Sequence, residues 1–168
     1  MREKETVSPQ LPSGIKVKWD GIFDSEGVYK KIKYWLDFNG FGGNFEEQEY
    51  YEIQKGDSKT IGARWYAEKR ASGYFGYVIE MNIYITGMRE VQMQRNGVNI
   101  TLNKGRFEVK LGAYVVKDLS EKYNSNLMQK FYEKVVIKER IDEHKRLLAI
   151  KLYELQDEIK RFLGMPLA

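Results

Sequence analysis

The stretch "ASGYFGYVIEMNIYITG", residues 71–87, decides the fold of this chain. From residue 75 it alternates strictly, and in a strand successive side chains point to opposite faces. One face carries large apolar side chains: Phe75, Tyr77, Ile79, Met81, Ile83 and Ile85. The other face is mixed and carries Tyr74, Gly76, Val78, Glu80, Asn82 and Tyr84. This pattern predicts the central strand of a sheet whose apolar face lies against a hydrophobic core.

The segments on either side continue the same alternation and predict antiparallel neighbours. "TIGARWYAEKR", residues 60–70, places Ile61, Ala63, Trp65 and Ala67 on one face. In "VQMQRNGVNITL", residues 91–102, Asn96 and Gly97 predict a two-residue hairpin turn, because both residues accept positive φ. We expect a second turn at "NKG", residues 103–105, before a last strand. The inner pattern is then expected to continue through Val91, Met93, Ile100, Leu102, Phe107, Val109, Leu111, Ala113 and Val115.

Three further segments precede this meander. Alternation in "GIKVKWDGIF", residues 14–23, predicts a strand, and "SEGVYKKIKYWLDFNG", residues 25–40, has helical spacing and a glycine stop. "FEEQEYYEIQ", residues 45–54, reads as a polar edge strand, because its charges discourage pairing between molecules. The sequence therefore predicts six to seven strands.

From about residue 120 to residue 163 the pattern becomes helical. A helix of this length would exceed the width of the sheet, so we expect either a break near residues 136–139 or a projecting half. Its most regular apolar stripe is Leu148, Leu152, Leu155, Ile159 and Phe162. Packing of this stripe on the chain's own sheet is the first interpretation, and pairing with another subunit is the second.

The element order is strand, short helix, antiparallel strands and a long C-terminal helix packed across the sheet, which makes an α+β fold. In this order the chain resembles the helix-grip architecture of the START and Bet v1-like superfamily over residues 15–163. The resemblance implies either an apolar ligand in a cavity between sheet and helix or a role as a protein-interaction module. Fold alone does not choose between these functions.

Composition limits the function. The 168 residues suit one domain, residues 15–168, after an N-terminal tail of residues 1–14 that we expect to be disordered. Without cysteine there is no disulfide, thiolate nucleophile or cysteine zinc site, and a single histidine, His144, cannot build a metal cluster. We therefore expect no metal and no cofactor. No apolar run is long enough to span a membrane, and the composition favours a cytoplasmic protein.

If the interior holds an apolar small molecule, the expected lining is Trp65, Phe75, Tyr77, Ile79, Met81, Phe107 and Leu111. The alternative is that these side chains close-pack without a cavity. Either way, the Tyr77 hydroxyl lies on an apolar face and must find a hydrogen-bond acceptor.

Catalysis is less favoured. Glu80 or Asp20 could act as acid or base in a hydrolase or lyase, and His144 could act as a base, but no partner group can be placed opposite them. The glycines of "NGFGGN", residues 39–44, match no phosphate-loop spacing and predict a turn after the helix.

Nucleic acid is also a less favoured partner. The net charge of +4 is mild, although residues 61–118 hold nine basic and five acidic side chains. Basic and aromatic residues interleave there and could stack bases: Arg64, Tyr66, Lys69, Arg70 and Tyr74. Glu68 and Glu80 share their face and weaken that interpretation. The sequence thus favours a non-enzymatic protein that binds an apolar small molecule, or a protein partner or second copy through the C-terminal helix.

Overall fold

The computed structural model describes residues 3–7, 14–72, 75–117 and 138–167. The strands are β1 (Glu3–Val7), β2 (Ile15–Phe23), β3 (Phe45–Lys55), β4 (Ser58–Arg70), β5 (Phe75–Arg95) and β6 (Val98–Lys117). The helices are α1 (Ser25–Phe38) and α2 (Lys138–Phe162), and a short 3₁₀ turn spans Gly42–Asn44.

The protein is α+β, with an open antiparallel sheet and a C-terminal helix. β1 and β2 lie end to end along one edge of β6, so the sheet is five strands wide, in the order β1/β2, β6, β5, β4, β3. β3 is an edge strand, as its charges predict. The helix-grip assignment remains a prediction.

The N-terminal residues differ from the expected tail. Glu3–Val7, within the range predicted to be disordered, forms β1 and pairs with residues 113–117 of β6. The physical reason is that β6 extends beyond its pairing with β2, which begins at Ile15 opposite Leu111, and leaves backbone groups for a further strand.

The hairpin between β5 and β6 confirms the turn at Asn96 and Gly97, whose φ angles are 52° and 77°. The second predicted turn, at residues 103–105, is wrong. These residues lie inside β6, and Gly105 is opposite two residues of β5, Gly87 and Met88, which form a β-bulge with one extra residue. The backbones of β5 and β6 approach closely at Gly105, where a side chain would not fit, and the residue does not make a turn.

Since β6 is continuous, the apolar side chains of the hairpin end are on a different face from the one predicted. Val91 pairs with Leu102 and Met93 with Ile100, as expected for a shared face. Phe107 and Val109 are on one face of the sheet, however, and the even-numbered residues of β6 are on the other face. We call the face of the sheet that contacts the core the inner face and the other the outer face. Val91, Met93, Ile100 and Leu102 are therefore on the outer face.

Helix α1 begins and ends where the sequence predicts. Asp24 is its N-cap, with the side-chain Oδ1 accepting from the Gly27 N–H at 2.9 Å. At the other end Gly40 has φ of 87°, and the Phe41 N–H donates to the Leu36 carbonyl at 2.8 Å. This is the hydrogen-bond pattern of a glycine-terminated helix.

Helix α2 runs without interruption from Lys138 and contacts β6, β2 and α1. The first part of the predicted helical segment, and residues 136–137 of its predicted break at residues 136–139, fall outside the described residues. The core between α2, α1 and the inner face contains the predicted apolar faces of β4 and β5. Val78, Tyr114 and Val116 form a second, smaller buried cluster on the outer face.

Candidate nucleic-acid interface

The outer face of β2 and β6 gathers most of the chain's basic excess. Alternation buries Ile15, Val17, Phe107 and Val109 and turns the residues between them outward. Lys16 lies beside Lys110, and Asp20 beside Arg106, across the β2–β6 ladder. Six basic side chains therefore share this surface with three carboxylates, which are Asp20, Glu108 and, from the turn between β3 and β4, Asp57: Lys16, Lys18, Arg89, Lys104, Arg106 and Lys110. We call these six residues the basic face.

A cleft lies in the basic face at the β-bulge of β5. Gly21 of β2 pairs with Gly105 of β6, which is opposite the bulge at Gly87 of β5. The cleft has a volume of about 440 Å³, and Gly87 and Gly105 are among its lining residues. Its lining includes three cations, one carboxylate and a hydroxyl: Arg89, Lys104, Arg106, Asp20 and Thr86.

Two tyrosines lie beside the basic face on the same side of the sheet. Gly62 of β4 pairs with Tyr51 of β3 on one side and with Tyr84 of β5 on the other. The Tyr51 ring lies against Gly62, in the space that a β-carbon would fill. Tyr84 is 43% exposed. The half-buried Tyr51 ring and the exposed Tyr84 ring provide an aromatic surface on which a base could stack.

Ion pairs within the basic face leave its cations available. The Arg106 guanidinium is 3.5 Å from the Asp20 carboxylate, and Arg89 is 3.5 Å from Asp57, with all four side chains at least 60% exposed. Such exposed pairs are worth little and are readily exchanged for a ligand anion. The acidic residues of β3 are on the opposite edge of the sheet, so the surface charge is polarised.

The seven residues predicted to line an apolar ligand all lie in the hydrophobic core. Ile79, Met81, Phe107 and Leu111 are fully buried, and Phe107 packs on Phe23 with ring centroids 5.7 Å apart. Trp65 packs edge-on against Phe45 at 5.2 Å and donates from Nε1 to Glu47 at 2.7 Å. The structure brings these residues together as packing neighbours around α2.

Tyr77 has the acceptor that its position demands. Its hydroxyl is 2.6 Å from Nδ1 of His144 in α2, and it donates to that nitrogen when the ring proton is on Nε2. The His144 ring also packs against Phe75, with centroids 4.7 Å apart. The His144 ring therefore lies beside the Tyr77 hydroxyl, and their hydrogen bond links α2 to β5. The sequence indicated the need for an acceptor but not its identity.

The His144–Tyr77 contact makes docking of α2 sensitive to acid. Partial burial lowers the pKa of His144 below its ordinary 6.5, with Arg140 lowering it further and Glu143 opposing. Because the unfolded chain binds this proton more readily, the resulting stabilisation is complete above pH 6.5 and is lost as the pH falls from 6.5 through the lower folded pKa. His144 is the only histidine, so an NMR titration of its imidazole signals reports the pKa directly.

We expect a folded pKa below 6.5 and a larger loss of stability on acidification than in His144→Gln, which cannot titrate there. Urea unfolding at about pH 7.5 and about pH 5.5 measures the difference. A folded pKa at or above 6.5 would contradict the prediction.

The apolar stripe of α2 packs on the chain's own sheet, as the first interpretation of the sequence has it. Leu148, Leu152, Leu155 and Ile159 are 0% exposed, whereas Phe162 is 38% exposed and its ring lies near Gly27 of α1. A partner contact through α2 stays a prediction. It would have to use the other side of the helix, where Leu147 and Ile150 are exposed.

That side of α2 borders a groove of about 300 Å³ between the two helices. Lys151 spans it, donating to Asn39 Oδ1 at 3.2 Å and to Glu154 at 3.1 Å. Tyr34 and Phe38 of α1 stack at 6.2 Å beside it and are 64% and 77% exposed. The polar bridge across the groove and the rings at its rim give it a mixed surface.

The carboxylates considered for catalysis do not face the interior between sheet and helix. Glu80 is on the outer face and accepts from the Tyr114 hydroxyl at 3.0 Å. Burial and this hydrogen bond raise the pKa of Tyr114. Asp20 is exposed beside Arg106. Among the residues that the structure describes, no group of histidine and carboxylate side chains could hold a metal ion, and no helix could cross a membrane.

The residues singled out for base stacking are only partly on the basic side of the sheet. Arg64, Tyr66 and Arg70 lie on the outer face of β4, but Lys69 is on the inner face and donates to the Asn39 carbonyl at 2.9 Å. Tyr74 is outside the described residues. The sequence interpretation missed Lys16 and Lys18, although the alternation in "GIKVKWDGIF" already placed both on one face.

Comparison with known proteins finds no family model and no curated protein sequence that matches this chain. The function has to be inferred from the surfaces themselves.

Proposed function

We propose that this protein is a non-enzymatic binding protein that holds single-stranded nucleic acid on the outer face of its sheet. The observation that carries the proposal is the basic face, in which six cations from β2, β5 and β6 lie among three carboxylates. A basic stripe on one face is the electrostatic footprint of a nucleic-acid binder.

The spacing of the cations suits a phosphate backbone. Side chains on one face of a strand repeat about every 6.8 Å, so Lys104 and Arg106 are one repeat apart along β6, and Lys110 follows two repeats later, after Glu108. Lysine and arginine are long enough to reach successive phosphates of a flexible strand. The cleft at Gly105, with Arg89 across from Lys104, would take one phosphate more deeply than the others.

Single strands are favoured over duplex because of the neighbouring rings. Tyr84 lies one strand, and Tyr51 three strands, from the basic row of β6. Unstacked bases can lie on such rings, which is worth about 1–3 kcal/mol per base, whereas the bases of a duplex are already stacked. The proposal therefore assigns the phosphates to β2 and β6 and the bases to Tyr51 and Tyr84.

Fluorescence anisotropy with a labelled oligonucleotide of about 20 thymidines tests the proposal, because that length exceeds one binding site. If about four phosphates are neutralised, affinity should fall on the order of 50-fold between about 50 mM and about 200 mM salt. The double variant Lys16→Gln/Lys110→Gln should weaken binding and reduce the salt dependence. Tyr84→Ala should weaken binding without changing the salt dependence.

A matched control is Lys30→Gln/Lys33→Gln, which removes an exposed and a half-buried lysine from α1 on the other side of the sheet. The control should bind as the wild type does. Absence of binding at low salt, or equal weakening by both double variants, would overturn the proposal. So would equal affinity for heparin, which has charge but no bases.

The architecture belongs to the same proposal. A sheet gripping one C-terminal helix, with α2 on its inner face, supports a helix-grip assignment, and no helix or strand of the described residues covers the outer face at the basic face.

A further inference from the structure

The end of the β5–β6 hairpin extends past its neighbours as a two-stranded ribbon. We call residues 89–104, beyond the bulge, the arm. On the β6 side, β2 ends with Phe23 opposite Asn103. No strand in the described part of the chain pairs with residues 98–102 on that side, and these residues are exposed or half-exposed.

The turn fixes which backbone groups of this edge are free. In a hairpin with a two-residue loop, the closing residues, here Arg95 and Val98, exchange their backbone hydrogen bonds. Alternate residues of β6 then direct their N–H and C=O groups away from β5. Between the turn and Asn103, which pairs with Phe23 of β2, the β6 residues with such outward groups are Asn99 and Thr101.

The two edges of the arm differ in charge. The β6 edge, "VNITLN" at residues 98–103, contains no charged residue and no proline. The β5 edge, "REVQMQR" at residues 89–95, carries Arg89, Glu90 and Arg95. Charged side chains, proline and bulges are the usual protection of an exposed edge, so residues 98–102 form an unprotected template for another strand.

We propose that this edge pairs antiparallel with the same edge of a second copy, about a two-fold axis at Ile100. In that register Asn99 of one copy and Thr101 of the other exchange hydrogen bonds, twice by symmetry, so all the free groups are used. An axis at Thr101 would pair Asn99 with Asn103, but Asn103 already pairs with Phe23 of β2 on that edge. An axis at Asn99 would pair Thr101 with Gly97 of the turn.

The side chains agree with this register. Ile100 meets Ile100 of the second copy and Val98 meets Leu102, apolar against apolar on the outer face. Self-pairing of the β5 edge about Gln92 would instead place Arg89 opposite Arg95 twice. The result is a symmetric dimer through the β6 edges.

Thr101→Pro tests the proposal because it removes an outward N–H and leaves the bonds to β5 intact. Gln92→Pro is the matched control, since Gln92 pairs with Thr101 in the same row of the ribbon and its N–H points to the opposite edge. Both variants lose the same Gln92–Thr101 side-chain hydrogen bond of 2.9 Å. Sedimentation velocity without nucleic acid, at about 1 to 100 µM, measures the monomer–dimer equilibrium.

We expect the wild type and Gln92→Pro to reach twice the 19.8 kDa chain mass, and Thr101→Pro to raise the dissociation constant at least about tenfold. Ile100→Lys should do the same by placing two ammonium groups at the axis, whereas Met93→Lys, its cross-strand neighbour, should not. Circular dichroism checks that each variant folds. A wild type that is monomeric throughout, or a dimer insensitive to both Thr101→Pro and Ile100→Lys, overturns the proposal.

Discussion

Leu152→Ala is expected to lower the free energy of unfolding by about 2–5 kcal/mol. Leu152 is 0% exposed and lies in the core between α2 and the inner face of the sheet, with Leu148 and Leu155 on either side along the helix. Alanine removes the buried isobutyl contacts and leaves a cavity that the close-packed surroundings fill only in part. Unfolding in urea, followed by circular dichroism, measures the change.

Ile150→Ala is the control in the same helix. Ile150 is 50% exposed, so the substitution should change stability by no more than about 0.5 kcal/mol. Equal losses for the two variants would mean that α2 does not pack on the sheet through its Leu148–Leu152–Leu155 side.

Gly105→Val is expected to cost about 1–3 kcal/mol of stability. A β-carbon at Gly105 would lie 3.0 Å from the Met88 Cα and 3.0 Å from the Thr86 carbonyl oxygen. Both are backbone atoms of the bulged strand, so they cannot swing aside as a flexible side chain could. The bulge must shift or the strands must separate, and denaturant unfolding reports the cost.

Gly112→Val, in the same strand, is the matched control. Nothing lies within 4 Å of a β-carbon there, and valine favours extended backbone more than glycine does. We expect no loss of stability from this variant. A loss of the same size at both glycines would indicate a general effect of valine in β6 and not the close approach at Gly105.

Local patterns predicted the elements that depend on neighbouring residues. The alternation from Phe75 to Ile85, the turn at Asn96 and Gly97, and the glycine stop of α1 at Gly40 are all confirmed, because each is decided within a few residues. The error at residues 103–105 has a different origin. Glycine permits both a turn and a close approach between strands, and only the register of β5 against β6 separates the two uses.

The error in that turn also misplaced four side chains. A turn would have allowed Ile100 and Leu102 to share the face of Phe107, whereas a continuous strand cannot, since its period is two. The bulge at Gly87 then keeps Val91 and Met93 in step with β6 on the outer face. One extra residue therefore decides which surface of the arm is apolar.

The basic face could not be predicted because it depends on pairing between distant parts of the chain. Lys16 and Lys110 are neighbours only through the β2–β6 ladder. The charge of residues 61–118 was visible, but its partners in β2 were not. Conversely, Lys69 is in the basic segment and yet caps α1 on the inner face. Charge along a sequence becomes a surface only after the strand order is known.

The position of β1 and β2 has a consequence for synthesis of the chain. Their pairing partner, β6, lies about 90 residues later, so the loop that joins them costs more entropy to close than the hairpin of β5 and β6 does. On the ribosome both N-terminal strands emerge long before β6 exists. The lysines of β2 discourage its pairing with other chains during that interval, so the residues that we assign to ligand binding in the folded protein also protect the nascent one.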